Sequence, residues 1–117
     1  MFDGWFIIAN PASNSGKGKD LIDLVLKMLD SRSIKYKLNL TRKSGDEIGL
    51  VELATRSNYK KMLAIGGDGT VQKVVAGIIL QKNIPKEEIL FGLIPSGTGN
   101  DWARSKQIEN TSSSKSI

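Results

Sequence analysis

The chain has 117 residues with 39% hydrophobic content, enough for the core of about one domain. It contains no Cys and no His, which excludes disulfides and thiolate zinc sites and leaves any proton transfer to a carboxylate or to solvent. Seventeen Lys and Arg against twelve Asp and Glu give a net charge of +5, a sign that suits nucleotide phosphates, an anionic membrane surface or nucleic acid without selecting among them.

Met1-Phe2-Asp3-Gly4-Trp5 has no basic leader, and no apolar run reaches the roughly 18 residues of a membrane span, so a cytoplasmic protein is expected. Trp5 to Ala9 reads as a first strand ending in Asn10-Pro11, followed by a Ser- and Gly-rich loop from Ala12 to Gly18. A helix is predicted from about Lys19 to Ser31, with Leu21, Ile22, Val25, Leu26, Met28 and Leu29 on one broad face that packs on a sheet. A second strand, Tyr36 to Leu40, runs to Thr41. Ser44 and Glu47 then have the spacing of a capping box, which opens a helix through Arg56.

The third strand, Met62 to Ile65, delivers the chain into Gly66-Gly67-Asp68-Gly69-Thr70. Three glycines in five residues let a backbone take positive φ and approach a ligand, and the helix that follows, with Val71, Val74, Val75, Ile78 and Ile79 at helical spacing, offers unpaired N–H groups to an anion. Asp68 has two readings: a cap for that helix, or a carboxylate placed to hold Mg²⁺ beside a phosphate. Pro85 marks the next loop. The fourth strand, Leu90 to Ile94, ends at Pro95 and a second small-residue loop, Ser96 to Asp101, before Trp102. Alternation of short apolar runs with helical periodicity predicts a parallel α/β sheet, and it gathers every polar loop at the carboxyl edge where such sheets bind ligands.

Other patterns fail. Ser15-Gly16-Lys17 matches a Walker A loop only in part, because the leading Gly is missing and Gly18 stands where Ser or Thr is required; Lys17 reads as a surface lysine. The dinucleotide pattern Gly-x-Gly-x-x-Gly is absent after the first and third strands. Lys and Arg are scattered with no basic-aromatic stripe, so nucleic acid is not an expected partner, and Trp5 and Trp102 are read as packing residues.

Four motifs in order, Ile8-Ala9-Asn10-Pro11 with Ser15-Gly16, Thr41, Gly66 to Val71, and Ile94 to Arg104, give the chain its resemblance to the N-terminal half of the diacylglycerol kinase catalytic domain family. That group includes bacterial lipid kinases, sphingosine kinases and ceramide kinases, with NAD kinase more distant. The resemblance implies a three-layer α/β/α sandwich with a mainly parallel sheet that binds ATP with Mg²⁺. Gly66, Gly67, Asp68, Gly69 and Thr70 would contact the phosphates; Asn10, Thr41, Gln72, Gly97 and Thr98 would complete the nucleotide site, and Asp68 would serve the metal. Two positions depart from the family pattern: Gln72 and Lys73 stand where such kinases usually carry Asn-Glu. Lys73 places a cation near a helix start, a cost that a bound phosphate would offset.

The family also implies a second, mainly β domain that supplies the lipid pocket, part of the metal site and a general base. The expectation here is a nucleotide-binding domain over 1–104 and a tail over 105–117 too polar to pack, with the second domain absent. Two functions stay open. One is the ATP-binding domain of a lipid kinase that moves the γ-phosphate to a lipid hydroxyl, with peripheral membrane contact, only when the second domain is present. The other is a standalone or degenerate nucleotide-binding module that acts by association, including pairing with itself.

Overall fold

The computed structural model describes residues 4–12, 18–43 and 45–96. Its elements, in chain order, are β1 (Trp5–Ala9), α1 (Gly18–Ser31), β2 (Tyr36–Leu40), α2 (Asp46–Arg56), β3 (Lys61–Gly66), α3 (Asp68–Leu80), a short 3-10 turn (Lys86–Glu88) and β4 (Leu90–Pro95). All four strands pair in parallel in the order β2-β1-β3-β4. Ile7 lies opposite Leu38 and Leu63, and Leu63 opposite Gly92, so a single register carries the apolar rows across the sheet.

Both faces of β1 and β3 are buried, which is why these strands read as unbroken apolar runs rather than as alternating ones. On one face, Trp5, Ile7, Ala9, Leu63 and Ile65 meet Ile22, Val25 and Leu29 of α1. On the other, Phe6, Ile8, Met62 and Ala64 meet Val51 and Ala54 of α2 and Val74 of α3, and Tyr59 stands edge-on to Phe6 with ring centroids 5.1 Å apart. This is the expected three-layer α/β/α arrangement, and Trp5 packs in the core as its sequence position suggested.

The first two helices end in the same way. Ser33 (φ 56°) and Asn58 (φ 67°) take left-handed conformations, and the next residues donate back to the helix, Ile34 N to Leu29 O at 3.0 Å and Tyr59 N to Ala54 O at 2.9 Å. Each closure turns the chain straight into the next strand.

The start of α2 corrects the capping-box expectation. The helix begins at Asp46, its N-cap is Gly45 (φ 97°), and no side chain caps it. Asp46 reaches backwards instead: its Oδ2 accepts the main-chain N–H groups of Arg42 (2.8 Å) and Lys43 (3.1 Å). Glu47 is released from capping and lies buried. Ser44, the other member of the expected pair, is outside the described residues, as are Ser15, Gly16, Lys17, Gly97, Thr98, Trp102 and the segment 105–117.

Candidate active site

The helix that follows β1 covers one face of the sheet, and the helix that follows β3 covers the other. The chain therefore departs in opposite directions from the ends of two neighbouring strands, and a crevice opens between them at the carboxyl edge. A cavity of about 390 Å³ occupies this position, lined by Asn10 and Ala12 after β1, Thr41, Arg42 and Lys43 after β2, Glu47 of α2, and Gly67, Gly69, Thr70 and Lys73 at the start of α3.

Main-chain bonds fix the floor. Asn10 N donates to Ile65 O (3.0 Å), Thr41 N to Ala9 O (2.9 Å) and Ser96 N to Gly66 O (2.9 Å). The Asn10 Oδ1 closes a turn by accepting Ala12 N at 3.0 Å. Thr41 is buried, with its hydroxyl directed to Ala9 O.

The start of α3 forms one wall. Gly67 is the N-cap, no side chain caps the helix, and Val71 N makes the first helical bond to Gly67 O at 3.1 Å. The N–H groups of Asp68, Gly69 and Thr70 precede that bond, and such amides, together with the positive end of the helix dipole, suit an anion. The glycines serve this wall differently from the expectation of positive φ. Gly67 is extended (φ −80°, ψ −173°), and among the described glycines only Gly45 has a positive φ. What Gly66 supplies is room, since a β-carbon there would lie 2.7 Å from Thr70 Cβ. Nor does Asp68 cap α3; it is the first helical residue and is exposed.

Of the sequence-derived site residues, the structure brings Asn10, Thr41, Gly67, Gly69 and Thr70 together on one cavity. Gly66 lies buried behind Thr70, and Asp68 and Gln72 are exposed outside the lining; Gly97 and Thr98 fall outside the described residues. Two residues, Arg42 and Lys43, gain a role the sequence reading did not give them. Arg42 and Lys43 join Lys73 in the lining, so three cations face one carboxylate, Glu47, and the cavity favours an anion. The signal for the first two was their place directly after Thr41, at the same sheet edge as the glycine loop.

Asp46 holds that basic pair in place. The Arg42 and Lys43 amides that donate to its carboxylate, aided by the charges of the same residues, keep its pKa below the usual carboxylate range. Among the described residues no three His, Cys, Asp or Glu side chains converge on a metal position. Mg²⁺ is commonly bound through one or two carboxylates plus substrate phosphates, so a lone Asp68 between two lining glycines is compatible with it.

Comparison with known proteins agrees with this geometry. The model of the diacylglycerol kinase catalytic domain matches residues 4–117. Diacylglycerol kinases from Staphylococcus aureus strains bovine RF122 / ET3-1 and MRSA252 are each 39% identical over 105 residues, which is 89% of this chain and 32% of theirs. Two solved structures of a candidate diacylglycerol kinase from Bacillus anthracis str. Sterne superpose with TM-scores of 0.69 and 0.68 at 24% identity, covering 88% of this chain and 34% of theirs, and they share its fold. The chain thus spans about a third of the length of the relatives it matches. By its family match, the chain belongs to the diacylglycerol kinase catalytic domain family.

Proposed function

We propose that this chain is the nucleotide-binding part of a lipid kinase, which holds ATP while its γ-phosphate passes to a lipid hydroxyl, diacylglycerol being the acceptor named for its relatives. The observation that carries the reading is the uncapped start of α3 opening on a cavity whose cations outnumber its carboxylates. In this reading the amides of Asp68, Gly69 and Thr70 receive phosphate oxygens, and Lys73, one turn on, adds a charge. Arg42 and Lys43 approach from the opposite loop. Phosphoryl transfer requires little covalent chemistry from the protein and much positioning and charge stabilisation, which is what such a cradle supplies.

Asp68 is the residue we assign to Mg²⁺. Bound with the nucleotide, the ion would neutralise phosphate oxygens; Asp68, exposed between the lining residues Gly67 and Gly69, would offer it a carboxylate. Acceptor binding and membrane contact are assigned to the part of the relatives' length that this chain does not span. None of the described helices is long and apolar enough to cross a bilayer.

Isothermal titration with Mg·ATP tests the reading. Saturable one-site binding is expected, competed by ADP; no heat at millimolar nucleotide overturns it.

A further inference from the structure

Glu47 is 3% exposed, and its Oε1 is buried without a hydrogen-bond partner, the one such side-chain atom among the described residues. It nonetheless lines the cavity. The ion pairs Arg56–Glu52 and Lys60–Glu88 do not include Glu47. A buried acceptor with no donor is costly, and an ionised carboxylate can only accept. Whatever satisfies it must bring an N–H or O–H. Phosphate oxygens with Mg²⁺ bound bring neither, being acceptors themselves.

We propose that Glu47 is a specificity-determining residue: on ligand entry its carboxylate turns Oε1 into the cavity it lines, where it accepts a hydrogen bond from a donor on the nucleoside part of the ligand, a ribose hydroxyl or a base amine, while the start of α3 takes the phosphates. The inference rests on the triphosphate reading above and adds a division of labour to it. The helix start binds any polyphosphate; Glu47 rewards one that carries a nucleoside and is left unmet by one that does not. The same site then discriminates ATP from inorganic polyphosphate through a single side chain.

The test measures Mg²⁺-dependent binding of ATP, 2′-deoxy-ATP, 3′-deoxy-ATP, inosine triphosphate and inorganic tripolyphosphate to the parent chain, Glu47→Ala and Glu47→Gln. Glu47→Ala is expected to weaken ATP at least tenfold while leaving tripolyphosphate unchanged or tighter. Glu47→Gln keeps an amide oxygen and should retain more of the ATP affinity. One of the three analogues should lose a similar factor against the parent and nothing further against Glu47→Ala, which identifies the donor. Glu47→Gln, of equal volume, should melt close to the parent, which separates a binding loss from a folding one. Equal losses of ATP and tripolyphosphate would make Glu47 a metal ligand or a fold residue and overturn the proposal, as would unchanged ATP binding. If the parent binds tripolyphosphate but not ATP, the nucleoside contact fails alone; if it binds neither, the phosphate site itself fails.

Discussion

Thr70 lies so close over Gly66 that a β-carbon at position 66 would stand 2.7 Å from both its Cβ and its Oγ1. Gly66 closes β3 and Thr70 completes the first turn of α3, so the contact sets how the helix start is carried by the strand. The missing side chain provides space, and the backbone needs no unusual φ there.

Gly66→Ala is therefore expected to displace Thr70 and with it the lining formed by the helix start. Overpacking of this kind costs about 1–3 kcal/mol, which a thermal melt would register as a fall of several degrees. Nucleotide affinity should fall with it, and Gly66→Ala/Thr70→Ser should recover part of both, since Thr70 Cγ2, which Ser lacks, is 2.9 Å from the new β-carbon.

Gly67 behaves in the opposite way. Its φ of −80° and ψ of −173° suit a β-branched residue, and the nearest atom to an added β-carbon is Ser96 O at 3.9 Å. Gly67→Val should fold with a melting temperature close to that of the parent and yet place its methyl groups at the cavity wall. Titration should show ATP binding weakened more than tenfold; full retention would place the phosphates elsewhere.

Asp68 is exposed at the first position of α3 and makes no capping bond, so its removal should cost the fold only the favourable placement of a negative charge near a helix start, about 0.3–1 kcal/mol. Asp68→Ala is expected to abolish the Mg²⁺-dependent part of ATP binding, with affinity in EDTA little changed. Equal affinities with and without metal in parent and variant would remove the assignment to Mg²⁺.

Asp46 gives a pH prediction with a definite sign. The amides of Arg42 and Lys43 depress its pKa in the folded chain, so its contribution to stability is present above the unfolded value near 3.9 and is lost as pH falls through the lower folded value. Denaturant melts of the parent and Asp46→Asn should differ near neutrality and converge on acidification below about pH 4. The variant should also free the loop that carries Arg42 and Lys43, and ATP affinity should drop even though Asp46 does not line the cavity.

The sequence made the scaffold legible because burial on both faces of β1 and β3 writes itself as continuous apolar runs, and each helix facing those strands carries a helical stripe. Asn10, Thr41, Gly67, Gly69 and Thr70 share one cavity because polar loops at one sheet edge converge by topology alone. Glu47 was misread because Ser-x-x-Glu has one local meaning and this site uses another. The carboxylate that bonds the entry loop belongs to the neighbouring residue, Asp46, and only the packing of α2 on the sheet shows Glu47 turned toward the cavity. The glycine loop joins β3 to α3 as its sequence position indicates, but without the positive φ expected of it, since crowding by Thr70 is a tertiary fact that no local rule about φ contains.

The three main-chain bonds Thr41 N to Ala9 O, Asn10 N to Ile65 O and Ser96 N to Gly66 O join the roots of all four loops into one continuous sill, each root resting on the strand beside it. A load applied by a ligand at any one root is passed laterally to the rest, so the floor of the crevice is tied across all four strands. Deuterium should consequently enter the amides of Asn10, Thr41 and Ser96 far more slowly than those of Asp68 and Gly69, which are exposed and precede the first helical bond of α3.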